Sequence, residues 1–184
     1  MGGGILQHYL QDNHQKVSGG VLLTTLSPYL YKTSIFTNIY TILTTQPFLP
    51  FLKALVTLNP YPTIETPELM KKTLFSSAFP YAMAVEIHSK CEKFGFINLI
   101  FEFSKPFVDP SKIKCPIIVI GAEEDNSIFQ SSENLKVISE TAEAYGVGFD
   151  IIEGAGHAVM LDLTWEDAAN VIFNRIQERI INKK

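Results

Sequence analysis

The chain has 184 residues, 46% of them hydrophobic, with 15 lysines and arginines against 19 aspartates and glutamates for a formal charge of -4. That length supports one ordinary domain with a sizeable core and excludes two large ones. The cations are scattered along a mildly acidic chain, which excludes an electrostatic nucleic-acid site.

The first residues, MGGGILQHYL, run three glycines into a helical stripe of Ile5, Leu6, Tyr9 and Leu10 that Asp12-Asn13-His14 ends. Glycines ahead of a helix ordinarily come after a strand, in a turn where backbone must approach backbone or ligand closely. Here no strand stands before them. There is no basic segment followed by an apolar run to read as a secretory signal, and Leu6 stands where N-myristoylation wants Ser or Thr. Val17 to Leu26, VSGGVLLTTL, reads as a buried strand.

From Tyr29 to about Pro106 short helical patterns are separated by Pro47, Pro60, Pro62 and Pro80, and they read as one helical insertion. Within it, Thr33 to Leu52 carries no charge over about twenty residues, the length that spans a bilayer. Its threonines, Asn38, Gln46, Pro47 and Pro50 argue against a stable transmembrane segment and for two short helices broken at Pro47. The stripe of Phe36, Tyr40, Phe48 and Phe51 reads as core of the insertion, part of it free to face an apolar substrate group.

Beyond Asp109-Pro110 the pattern changes. CPIIVIGAEED, Cys115 to Asp125, is a continuous apolar run stopping at a glycine, an alanine and three acids, the pattern of a buried parallel strand meeting a loop at its carboxyl end. A helical pattern then runs from Glu133 to Tyr145. VGFDIIEGAGHAVMLD, Val147 to Asp162, supplies another short strand and a glycine-bracketed His157. Thr164 to Asp167 fits a capping box for a last helix with Ala168, Val171, Ile172, Ile176 and Ile180 on one face. Strands alternating with helices predict an α/β architecture with about three parallel strands.

Cys91 and Cys115 form no paired motif, and His88 with Cys91 has no second pair to complete a metal site. No metal is expected, and a reduced, cytoplasmic setting is the default. His8 and His14 read as surface residues and His88 as part of the insertion's structure. Chemistry is expected at the carboxyl ends of the strands, where Asp125 and His157 stand. A carboxylate beside an imidazole fixes the ring tautomer and stabilises the cation formed when the other nitrogen takes a proton. Glu123 and Glu124 compete with Asp125 for that role, and a structural reading of His157 stays open.

GAEEDNSIF followed by EGAGHAVMLD resembles the acid and histidine loops of the α/β-hydrolase fold, whose triad members come in the order nucleophile, acid, base. The resemblance implies that residues 1–28 and 107–184 form the C-terminal part of the hydrolase core and 29–106 a helical cap or lid. It implies a serine hydrolase, esterase- or lipase-like, acting on a small-molecule ester or acyl substrate without metal or organic cofactor. Met1-Gly2-Gly3 matches the three residues after the serine in the family's G-H-S-M-G-G elbow, so Gly2 and Gly3 would be elbow glycines and the Met1 backbone N–H an oxyanion-hole donor. On that alignment the nucleophile lies immediately upstream of Met1. Ser27, Ser127 and Ser131 lack the elbow context. The resemblance therefore implies a truncated chain, silent and poorly soluble alone, whose open sheet edge a complementing N-terminal segment or chain would cover. A catalytically inactive remnant and a ligand-binding relative are the alternatives.

Overall fold

The computed structural model describes residues 2–25, 48–57, 61–91, 108–127 and 131–182. Met1, the greater part of the uncharged stretch ending at Leu52, and Ser27 lie outside them. So do Phe36, Tyr40 and the side chains of Phe48 and Phe51.

The sheet has three parallel strands in the order β1-β2-β3: β1 at Gly20–Leu23, β2 at Ile117–Ala122 and β3 at Phe149–Ile152. Val21 pairs with Ile118, and Ile120 with Asp150. The central strand is buried along its whole length, as an uninterrupted IIVIGA run requires when both sheet faces are covered. β1 is shorter than the expected Val17–Leu26. Its pairing begins with the Gly20 N–H on the Pro116 carbonyl, 2.9 Å, and stops where Thr24 turns to a φ of 45°, which no strand can accommodate.

Helices cover both faces. On one, Leu10 of α1 (Gly2–Asn13) and Ile138 and Ala142 of a helix spanning Ser131–Ala144 pack with Leu22, Ile117 and Val119. On the other, Ala168, Val171, Ile172 and Ile176 of the helix Trp165–Ile176, with Ile180 from the adjoining π-helical turn, meet Ile118, Ile120, Ala122 and Ile152. The strands thus divide their apolar residues by the twofold alternation of a pleated sheet. The expected apolar face of the last helix is the one that packs.

Between β1 and β2 lie α2 (Phe48–Thr57), α3 (Pro67–Leu74) and α4 (Tyr81–Ser89). Thr66 caps α3 through its Oγ1, which accepts the Leu69 N–H at 3.3 Å, and Pro67 supplies the first-turn φ. Pro80 precedes α4. Met70, Phe75, Phe79 and Ala84 make a separate small core, with the rings of Phe75 and Phe79 stacked at 4.0 Å. Among the described residues the next two α-helices in chain order are α5 (Ser131–Ala144) and α6 (Trp165–Ile176).

The expected capping box does not form. Thr164 has φ -95° and ψ 17°, outside the extended region that aims a capping oxygen into the first turn, and its hydroxyl is buried without a partner among the described residues. The Asp162 carbonyl instead takes the Trp165 N–H at 3.2 Å and starts the last helix. Among the described residues no helix is long and apolar enough to cross a membrane.

Candidate functional site

The loops after β2 and β3 meet at the carboxyl end of the sheet. The Glu123 N–H donates to the Ile152 carbonyl at 3.1 Å and the Glu124 N–H to that of Ala155 at 2.8 Å, so the acid loop continues the pairing begun by the strands. The three competing acids then separate. Glu123 accepts the Gly154 N–H at 2.8 Å, at a glycine whose φ of 63° suits a residue without Cβ. Glu124 accepts the Ser77 N–H at 2.7 Å. Asp125, buried, places Oδ2 2.9 Å from Nδ1 of His157.

A carboxylate accepts, so this contact suits an Nδ1–H donated to Oδ2, and in the neutral ring with that tautomer Nε2 presents a lone pair. The imidazole is partly open, at 30% side-chain exposure against 8% for the aspartate, so the pair has a dry end and an accessible end. Asp125 is itself fixed: Oδ1 accepts the Ser127 N–H at 2.9 Å, and the Asn134 side-chain amide donates to the Asp125 carbonyl at 2.6 Å. A carboxylate held by backbone and amide donors keeps one orientation toward the ring.

The histidine loop is held from three sides. Thr24, in the left-handed conformation that a β-branched residue rarely adopts, donates its hydroxyl to the His157 carbonyl at 3.1 Å. The Ala158 N–H donates to the Leu74 carbonyl at 2.8 Å. Gly156 lies so close to the 75–76 backbone that a Cβ there would fall 2.4 Å from the Phe75 carbonyl carbon. Asp162, with only 1% of its surface exposed, accepts from the Ser76 and Gly156 backbone N–H groups. It also accepts from the Ser76 hydroxyl and the Leu163 N–H.

At the N-terminus the two glycines differ. A Cβ on Gly3 would collide with Oγ1 of Thr25 at 1.8 Å, whereas Gly2 has open space. Close approach therefore explains Gly3, and it sets the first turn of α1 against the carboxyl end of β1, one residue from the Thr24 that touches the histidine loop. Met1 lies outside the described residues. His88 is a structural link, its Nε2 3.0 Å from the Glu65 carbonyl. His8 and His14 are half-buried rather than exposed, and Nδ1 of His14 is buried without a partner among the described residues. Among the described residues no group of three His, Cys, Asp or Glu side chains is placed to hold a metal ion.

Thr24, Gly156 and Asp162 had no assignment from the sequence. Their partners are mainly backbone groups, which leave no residue-type pattern to read. The spacing of Asp162 from His157 within one short loop is the one signal the sequence carries.

No family model and no curated protein sequence matches the chain. Among solved structures the fold is similar to the crystal structure of a membrane phospholipase A described as a bacterial virulence factor, with a TM-score of 0.56 and 17% sequence identity. The match takes in 98% of this chain and 55% of that one, so the chain spans about half the length of the structure it resembles. At that identity the likeness shows the fold: a mixed α/β arrangement with a three-stranded parallel sheet and flanking helices.

Proposed function

We propose that the chain is the acid-and-base part of a serine hydrolase of α/β-hydrolase type that cleaves carboxylic esters, with the helical segment between β1 and β2 as its cap. The observation that carries this reading is the 2.9 Å contact between a buried Asp125 and a partly exposed His157 at the carboxyl end of a parallel sheet. In the proposed mechanism Nε2 of His157 takes the proton of a serine hydroxyl as the oxygen attacks the ester carbonyl. His157 then returns the proton to the leaving alcohol, and water repeats the sequence on the acyl-enzyme. Asp125 orients the ring and stabilises its cation throughout.

The serine is assigned to a segment preceding Gly2. Support comes from the packing of Gly3 on Thr25, which brings the start of α1 to the same end of the sheet as His157. On this reading the serine would reach the imidazole from that end of the sheet, and the Met1 N–H would serve as an oxyanion donor. Long-chain acyl esters such as phospholipids are the substrate class favoured by the phospholipase likeness. No step uses a metal or organic cofactor.

The test is turnover of acyl esters and labelling by a fluorophosphonate probe in the natural protein, with the labelled residue located by peptide mass. The expected adduct is on a serine before Gly2, and both His157→Ala and Asp125→Asn lower kcat by about 10⁴-fold. An adduct elsewhere, or activity indifferent to His157, overturns the proposal.

A further inference from the structure

The loop that carries His157 is bound to the segment that closes α3 as well as to the strand ends, and one side chain makes most of the attachment to that segment. Asp162 lies five positions beyond His157 in the sequence. Its Oδ2 accepts the Ser76 N–H at 2.7 Å and the Gly156 N–H at 3.0 Å; its Oδ1 accepts the Ser76 hydroxyl and the Leu163 N–H, both at 2.7 Å. Ser76 and Asp162 are each 1% exposed. Among the described residues no cation pairs with this carboxylate, so its charge is compensated by four aligned donors.

We propose that Asp162 is a positioning residue for the Asp125–His157 pair: its buried carboxylate clamps the residue before His157 to the 75–77 segment and so fixes where the imidazole stands. The proposal rests on the functional reading above. Three neighbouring contacts make the clamp directional. Gly156 is pressed on Phe75, Ala158 bonds to Leu74, and Ser77 bonds to Glu124, the residue before Asp125. The same short segment therefore bridges the loop of the acid and the loop of the base. Asp162 joins it to the base side, Glu124 to the acid side, and the 2.9 Å spacing of the pair is set between them. The Asp162 carbonyl also receives the Trp165 N–H, which ties the clamp to the start of α6.

Asp162→Asn has a determinate effect. The Oδ2 side faces two backbone N–H donors, so the amide oxygen is retained there and the amino group is turned toward Oδ1. The Ser76 hydroxyl can rotate to accept from it, but the Leu163 N–H then meets another donor. The loop shifts while most of the clamp survives. Ser76→Ala removes one bond of the four and serves as the milder variant.

The experiment compares both variants with the parent in the natural protein, reading steady-state hydrolysis of a p-nitrophenyl acyl ester and the downfield proton resonance of His157 Nδ1–H. Asp162→Asn is expected to lower kcat about tenfold, with KM changed by less than about threefold, and to broaden or shift the Nδ1 proton. Ser76→Ala is expected to do the same to a smaller extent. An unchanged Nδ1 resonance in folded Asp162→Asn protein overturns the proposal, as does a loss of activity that matches the loss of folded protein. His157→Ala is the control: turnover that survives it overturns the functional reading, and Asp162 is then judged on the Nδ1 proton, which needs no turnover.

Discussion

Gly156 shows how tightly the site is built around a single backbone position. Its α-carbon is pressed against Phe75 and Ser76, and an added methyl would stand 2.4 Å from the Phe75 carbonyl carbon and 2.6 Å from the Ser76 nitrogen. Those are backbone atoms, which cannot rotate away as a side-chain terminus can. Gly156→Ala is therefore expected to cost about 3 kcal/mol, at the upper end of overpacking effects, measured as a fall in urea midpoint at unchanged slope. A cost below about 0.5 kcal/mol would mean that the 75–76 backbone gives way freely and clamps nothing. Thr24 is strained in another way, holding a φ of 45° while its hydroxyl meets the His157 carbonyl. At this scale sequence reading reached the pair and not its supports. Asp125 and His157 are residue types whose chemistry is visible in a string of letters, and the structure brings them together. Asp162 reads as an ordinary loop acid, because four donors converge on it only once α3 and the histidine loop are packed.

Among elements, β2 and α6 were the most legible. An uninterrupted apolar hexapeptide has no stable place outside a covered sheet, and a helical stripe ending in Ile176 and Ile180 has one face to bury. The ends of elements were less legible, since they depend on backbone angles that a pattern of residue types does not carry. Val17 packs against the core without pairing in β1, and Thr164 matches a capping sequence without adopting a capping conformation. The contact of α6 with β3 adds a feature the apolar stripe does not contain. Arg175 donates through Nε and Nη2 to the two oxygens of Asp150 at 2.7 and 2.6 Å, and through Nη1 to Glu178. The Asp150 hydrogen bonds, and after them that to Glu178, raise the guanidinium pKa further above its already high range, so the charge persists at every working pH. Both partners of the fork are partly exposed, which limits its worth to about 1 kcal/mol. Arg175→Gln is expected to lose that amount in urea denaturation at low salt and about half of it near 1 M salt. Asp150→Asn combined with it should cost less than the sum of the two single changes, and strict additivity would show that the fork contributes nothing.

For the whole molecule the decisive feature is the outer edge of β1. Gly20 and Thr24 direct their N–H groups to Pro116 and Ile120 of the β2 side, so the alternation of a strand turns the N–H groups of Val21 and Leu23 the other way. Among the described residues no strand lies beyond that edge. A parallel sheet is ordinarily covered on both faces and paired at its centre, and an apolar edge left open is a template for association with another chain. The proposed nucleophile strand, if it ran into Gly2, would fill this place, since α1 packs beside the end of β1 at Thr25. The chain from Met1 alone is thus expected to self-associate with rising concentration and to hydrolyse no ester. Amide hydrogen exchange tests the edge directly. In the chain alone the Val21 and Leu23 amides should exchange at least about tenfold faster than that of Leu22, whose N–H faces β2. With the proposed nucleophile strand paired on this edge, all three should become comparably slow. Equal protection of the three at a concentration where the chain alone is monomeric would show that the edge is already paired from within residues 1–184, and would remove the place assigned to the proposed nucleophile strand.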